Sequence, residues 1–258
     1  MDACSIPLPR EIVILLGLFL AALWAGMQNA LAGGGSFITL PALMLTGMDA
    51  RAANITSTLA LFPAQVATGL TGRRDFSGAA GLSITALILI SLVGGVLGAI
   101  LLLVTPSGFF ARLVPWLVLF ATLVFAWGSF LRRQSVATRL GKAGAGFAQL
   151  LISIYGGYFG GGIGFLMLAA LNAAGMQVRK AAATKNVLAG VMNASAVAIF
   201  AFSPAVHWIQ AGIACARAVV GGVAGGLVLN RTNEKVLRLV IVLIGVALTV
   251  GLFLRTPQ

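Results

Sequence analysis

Two glycine clusters are the residues of this sequence best suited to binding a ligand. The first is Gly33-Gly34-Gly35-Ser36 and the second is Gly160-Gly161-Gly162 with Gly164, and each stands directly before a short apolar run. Glycine lets backbone amides approach a ligand closely, and the free N–H groups at the start of a helix attract negative charge. The clusters therefore predict an anion site built from backbone. Close packing of helices by small residues is the alternative explanation.

Polar side chains stand near both clusters. The candidates for binding are Asn29, before the first cluster, Thr56 and Ser57 after it, and Thr184, Lys185 and Asn186 after the second. Such groups line a polar cavity or bond to backbone carbonyls one turn earlier. Lys185 either faces that cavity or extends back to the membrane surface. With Gly33, Gly34, Gly35, Ser36, Gly161 and Gly162, these residues are expected to form a substrate site.

Arg217 is the remaining candidate, because it lies near the middle of an apolar run. A guanidinium at that depth is costly unless it faces water, an anion or backbone carbonyls. All five carboxylates stand at the ends of apolar runs, so none can pair with it there. We therefore expect Arg217 to face the anion, and we expect no proton relay through buried carboxylates.

No group of residues indicates an enzyme. The chain has one histidine and two cysteines, Cys4 and Cys215, which lack metal-ligand spacing. No paired acids share a segment, and no phosphate-binding loop is present. Neither catalysis nor a cofactor or metal is expected.

The composition indicates a membrane protein. Hydrophobic residues make up 60% of the 258 and charged residues only 9%, against about 25% charged in a soluble domain. The net charge of +12 comes from cations clustered between apolar runs rather than along one face. They therefore indicate topology in a lipid bilayer, not binding to nucleic acid.

Ten apolar runs divide the chain. They are Ile12–Leu31, Ser36–Gly47, Ala52–Leu70, Ser77–Val104, Phe109–Leu131, Ala143–Tyr158, Ile163–Gly175, Arg179–Phe202, Val206–Asn230 and Glu234–Leu254. Eight have 16 to 28 residues, close to the roughly 20 that a spanning helix needs. The two that begin at the glycine clusters have only 12 and 13.

The sequence repeats itself at an offset of 128. Within residues 33–56, 11 of 24 positions are identical to their partners in 161–184. Each repeat, 1–133 and 134–258, contains five runs. If the two short runs count as membrane crossings, 11 loop cations lie on one side of the membrane and four on the other, as the positive-inside rule requires. If they do not count, the basic clusters are divided between the two sides, which breaks that rule.

The sequence therefore predicts an all-α polytopic membrane protein of two inverted repeats, each with four long spans and one short glycine-initiated half-helix. This is an architecture of secondary transporters, which bind substrate near the midplane between repeats. Both termini are expected outside the cytoplasm.

The residues from Ala25 to Leu43 resemble the first signature of the TauE/SafE sulfite exporter family, also called toluene sulfonate uptake permeases. Ala53 to Thr58 resembles its Ala-x-x-Thr-Ser/Asn element, and Gly160 to Ala170 with Ala183 to Asn186 resembles the second copy. Ala169 replaces the proline found at Pro41 in the first copy, and Arg217 is outside the family pattern.

The resemblance implies a transporter of small sulfur-containing oxyanions such as sulfite, sulfoacetate or organosulfonates. Export across a bacterial inner membrane is the leading hypothesis. The alternatives are an uptake permease for a sulfonate or another organic anion, and a non-transporting membrane scaffold.

The cation distribution generates a topology prediction. Reporter enzymes fused to either terminus should be active outside the cytoplasm, and a reporter in the loop from Arg132 to Lys142 should be active inside. The 11 to 4 split of loop cations is the reason. A cytoplasmic C-terminus would contradict the inverted arrangement.

Overall fold

The computed structural model describes residues 35–71, 76–128, 140–216, 218 and 234–255. The predicted run 12–31 lies outside these ranges, as do residue 217 and the part from 219 onward of the predicted run 206–230. The bounded helices are α1 (Ser36–Leu45), α2 (Ala50–Thr71), α3 (Ile84–Val104), α4 (Ser107–Ala126), α5 (Lys142–Tyr158), α6 (Ile163–Ala173), α7 (Val178–Phe200) and α8 (Glu234–Arg255). Residues 208–216 are also helical, and the described ranges contain no strand, only an isolated bridge between Ala79 and Leu82.

The helices fit a membrane protein. Among the described residues, Ile84–Val104, Ser107–Ala126 and Lys180–Phe200 are long and apolar enough to cross a bilayer. The two runs expected to be short form helices of 10 and 11 residues, α1 and α6. At 1.5 Å per residue, each spans only about half of the hydrocarbon.

One helix boundary was predicted wrongly. The run from Ser77 was expected to be helical, but α3 begins at Ile84. Residues 79–82 form a tight turn in which Ala80 and Gly81 have positive φ, so no helix can pass through them. The Ser83 side chain then caps α3 by accepting a hydrogen bond from the Ala86 amide, 3.1 Å. The end predicted at Leu131 lies outside the described residues, and α4 ends at Ala126; the other described boundaries fall within two residues of the predictions.

The helix boundaries repeat with the sequence. The starts of α1 and α6, of α2 and α7, and of α4 and α8 are separated by 127, 128 and 127 residues. The sequence repeat is therefore also a repeat of helices. We call helices related in this way equivalent.

The equivalent helices α2 and α7 pack against each other. Their closest polar contact joins Gln65 and Asn193, where the Asn193 amide donates to Gln65 Oε1 at 2.6 Å. These two residues are 128 positions apart, so they occupy the same place in the two repeats. The two repeats thus meet at corresponding residues of α2 and α7.

Equivalent helices run in opposite directions. Arg51, at the start of α2, donates from Nη1 to the carbonyls of Leu103 (3.2 Å) and Thr105 (2.9 Å), at the end of α3. Ile199, at the end of α7, borders the same cavity as Arg51. The start of α2 therefore lies at the end of α7.

The second equivalent pair, α4 and α8, has the same relation. Trp116 contacts Phe253 with ring centroids 5.0 Å apart, and Thr122 packs against Gly245. From the first contact to the second, the residue number increases along α4 and decreases along α8. These helices are therefore antiparallel too.

Glycines bring α3 and α5 into backbone contact. A Cβ on Gly94 would lie 2.5 Å from Ser153 Cβ, and one on Gly98 would collide with the Ile154 carbonyl. Gln149 Nε2 also donates to Ser91 Oγ at 2.8 Å between the same helices. The packing explanation proposed for small residues therefore applies to these glycines.

This packing gives a stability prediction. Gly98→Ala should lower the melting temperature in detergent, because the added methyl must displace α5 backbone, at a cost of about 1 to 3 kcal/mol. Gly190→Ala in α7 is the matched control, since a Cβ there meets nothing within 4 Å. If both variants melt like the parent, α3 and α5 are not packed this closely.

Candidate functional site

The two glycine clusters meet in the folded chain. A Cβ built on Gly160 lies 3.7 Å from Ser36 Oγ, so the second cluster touches the residue that ends the first and begins α1. Gly35 and Ser36 are both buried. The starts of the short helices α1 and α6 thus lie side by side.

These short helices approach from opposite ends of the molecule. Four residues join α1 to α2, and the hydroxyls of Thr39 and Ser57 hydrogen-bond between them, so the pair is an antiparallel hairpin. Four residues also join α6 to α7. Since α2 and α7 are antiparallel, α1 and α6 point their N-terminal ends toward each other in the interior.

The helix starts carry backbone donors without acceptors. Neither N-cap residue, Gly35 or Gly162, provides a side-chain cap. The amides of Gly161, Gly162, Ile163 and Gly164 are buried, and none has an acceptor within the described residues. Buried N–H groups normally find a partner, and two helix dipoles add positive potential at the same place. The arrangement suits an anion with several oxygen acceptors.

The second cluster requires glycine. Gly160 and Gly162 have φ of +81° and +73°, the left-handed region that L side chains rarely adopt. A Cβ on Gly162 would also lie 3.1 Å from Ala121 Cβ of α4, and one on Gly161 would lie 2.5 Å from the Phe159 ring. Side chains at these positions would distort the turn that presents the amides.

Lys185 is buried, with 5% of its surface exposed, so its side chain does not extend to the surface. It shares a face of α7 with Ala181, Leu188 and Met192, which cluster with residues of α6. No hydrogen bond or ion pair to Lys185 occurs within the described ranges. From the lengths of the two hairpin arms, its Cα lies opposite about residue 166 of α6, roughly one turn from the α6 start on the side of the loop.

The predicted hydroxyl residues hold the repeats together. Thr184 Oγ1 accepts a hydrogen bond from the Ser77 amide at 3.1 Å and donates to the Ser77 carbonyl at 3.3 Å. Thr56 Oγ1 accepts from the His207 amide at 3.4 Å. Each threonine thus binds a loop of the opposite repeat. Asn186 is half-buried on α7.

Two buried polar groups near the site were not predicted. Asn54 donates from Nδ2 to the Tyr158 carbonyl at 3.0 Å, which ties α2 to the residue before the glycine turn. Asn54 Oδ1 and the Tyr155 hydroxyl are buried without a described partner. Asn54 belongs to the polar element after the first cluster, which was the available signal. Tyr155 has the sequence pattern of an ordinary packed aromatic residue.

Four predicted residues lie outside the described ranges: Asn29, Gly33, Gly34 and Arg217. Within the described residues, no group of three or more His, Cys, Asp or Glu side chains could hold a metal ion.

The sequence of this chain matches the family model "Sulfite exporter TauE/SafE" over residues 18–252. The chain belongs to the TauE/SafE family. It is therefore a multi-pass membrane protein of a transporter family.

Curated relatives support the same assignment. The chain is 30% identical over 242 residues to the probable membrane transporter protein ORF9 of Sinorhizobium sp, covering 93% of this chain and 92% of that protein. It is 28% identical to a probable membrane transporter protein of Haemophilus influenzae, covering 92% and 93%. It is 27% identical to the probable membrane transporter protein YfcA of Escherichia coli K12, covering 93% and 90%. No solved structure matches the chain.

The contact between Thr184 and Ser77 predicts a stability effect. Thr184→Val should reduce the free energy of unfolding by about 1 to 3 kcal/mol, because it leaves the Ser77 amide without its partner. Thr85→Val, at an exposed position of α3, is the control and should change little. The measurement is thermal or denaturant unfolding in detergent, and equal stability of the two variants would contradict the contact.

Proposed function

We propose that this protein is a secondary transporter or facilitator of small sulfur-containing oxyanions, such as sulfite, sulfoacetate or organosulfonates. It exports them across the inner membrane. The observation that carries the proposal is the meeting of the α1 and α6 starts, together with the amides of Gly161 to Gly164, which have no acceptor within the described residues. Sulfite and sulfonate groups each present three oxygens, which several converging N–H donors can bind at once.

The proposal includes an inverted arrangement of the two repeats. The antiparallel courses of α2 with α7 and of α4 with α8 support it, because an axis in the membrane plane reverses equivalent helices. The contact between Gln65 and Asn193 lies near that axis. The site would then open to either side as one repeat rocks against the other.

Two cations complete the proposed site. Lys185 supplies a buried positive charge on the helix facing α6. Arg217 is proposed from the sequence alone, because a guanidinium can present two parallel donors to two oxygens of a sulfonate. With no buried carboxylate expected to carry protons, the membrane potential drives exit at about 2.3 kcal/mol per charge per 100 mV.

A scaffold without transport accounts poorly for the same features. Buried amides and a buried lysine without partners in the described part of the chain would destabilise a protein that binds nothing there. A protein that only had to pack its helices would be more stable with side-chain caps at these helix starts and an apolar residue in place of Lys185. An anion bound at the site would compensate for this loss of stability.

The turn before α6 provides a test of binding. Gly162→Ala should weaken sulfite binding about tenfold or more, because its methyl group disturbs the amides and crowds Ala121. Gly47→Ala is the matched control, since Gly47 also has positive φ but has nothing within 4 Å of a Cβ and lies at the far end of α1. Calorimetry on purified protein measures the affinity, and parent-like affinity in Gly162→Ala would exclude this turn from the site.

Lys185 provides a test of the charge. Lys185→Met keeps most of the side-chain volume but removes the cation, and should reduce both anion affinity and voltage-driven flux in vesicles. Lys180→Met removes an exposed cation from the same helix and should leave both unchanged. Equal effects of the two substitutions would show that only the overall charge matters.

A further inference from the structure

A second cationic cavity lies away from the helix starts described above. Its volume is about 380 Å³, and it is bordered by Arg51, Leu103, Ile199, Phe202, Ser203 and Ala205, with Pro204. Arg51 is six residues from Ser57 along α2, or about 9 Å. The cavity is therefore at the end of the bundle, while the glycine turns lie in its interior.

The guanidinium of Arg51 is fixed but only partly used. Both short contacts, to the Leu103 and Thr105 carbonyls, come from Nη1. Nε and Nη2 have no acceptor within the described part of the chain. The nearby Asp49 carboxylate instead caps α2 by accepting from the amides of Arg51 and Ala52, both at 3.1 Å. Two adjacent nitrogens thus remain for a ligand.

The remaining walls favour a ligand with an apolar part. Apart from Arg51 and Ser203, the lining consists of apolar side chains, and Phe202 is 90% exposed. The cavity takes Leu103 from α3, and Val93, Leu97, Ile100 and Val104 of the same helix form an exposed stripe at helical spacing. A small hydrated anion would leave these apolar walls unused.

We propose that this cavity binds the phosphate group of a membrane phospholipid, with an acyl chain lying along the exposed stripe of α3. Nε and Nη2 of Arg51 donate in parallel to two phosphate oxygens, a geometry for which guanidinium is suited. The carbonyls of Leu103 and Thr105 are already occupied by Arg51, and those of Leu101 and Leu102 by the Thr105 amide. The inference does not depend on the identity of the transported anion.

Native mass spectrometry of the full-length protein in detergent, titrated with dioleoylphosphatidylglycerol, tests this site. The parent protein should bind one lipid molecule. The Arg51→Gln variant should bind it about tenfold more weakly, because the charged hydrogen bonds to the phosphate are lost. Arg112→Gln removes an exposed cation of α4 and should bind like the parent. Dioleoylglycerol, which has the same chains without phosphate, should show no dependence on Arg51.

Because Arg51 also caps α3, a second variant keeps it intact. Ala205→Phe should fill the cavity and displace the lipid while leaving the contacts of Arg51 unchanged. Parent-like lipid binding in Arg51→Gln or in Ala205→Phe would overturn the proposal. Displacement of the lipid by millimolar sulfite would also overturn it, because the cavity would then hold a free oxyanion rather than a lipid.

Discussion

Buried backbone amides that have no acceptor among the described residues are the constraint on which the rest of this structure depends. A chain in hydrocarbon must satisfy its N–H groups internally, and irregular backbone is tolerated only where protein or water surrounds it. Before α6, Gly160 and Gly162 have positive φ, the amides of residues 161–164 have no described acceptor, and the start of α1 lies beside this turn. Residues 161–164 of this turn are buried, and Ala121 of α4 packs against Gly162.

The relation between the repeats explains how two short helices come to share one place. Because α2 and α7 are antiparallel and meet at Gln65 and Asn193, the proposed inverted arrangement brings the two short helices to the same level from opposite ends. Thr56 and Thr184 bind loops of the other repeat, so the halves are joined by long-range polar contacts as well as by packing. An anion between the helix starts would be touched by both repeats, which suits a site that opens alternately to two sides.

Local features of this protein could be predicted from its sequence, and long-range ones could not. Glycines followed by short apolar runs indicated α1 and α6, and the 128-residue offset indicated the repeat, because both depend on neighbouring residues. The turn at Ala79 to Leu82 was missed, since its residues continue an apolar run. The partners of Thr184 and Asn54 are 107 and 104 residues away, so hydrophobic periodicity carried no information about them. Arg51 was assigned only to a loop, although it caps α3.

The central claim is that an oxyanion binds between the starts of α1 and α6. Selenite has the shape and charge of sulfite and scatters X-rays anomalously, so a crystal of the protein soaked in selenite would locate the ion directly. The account predicts one anomalous peak within hydrogen-bond distance of Ser36 and of the amides of Gly161 to Gly164. A peak confined to the cavity at Arg51, or to the basic loops, in a protein that binds sulfite in solution would contradict it.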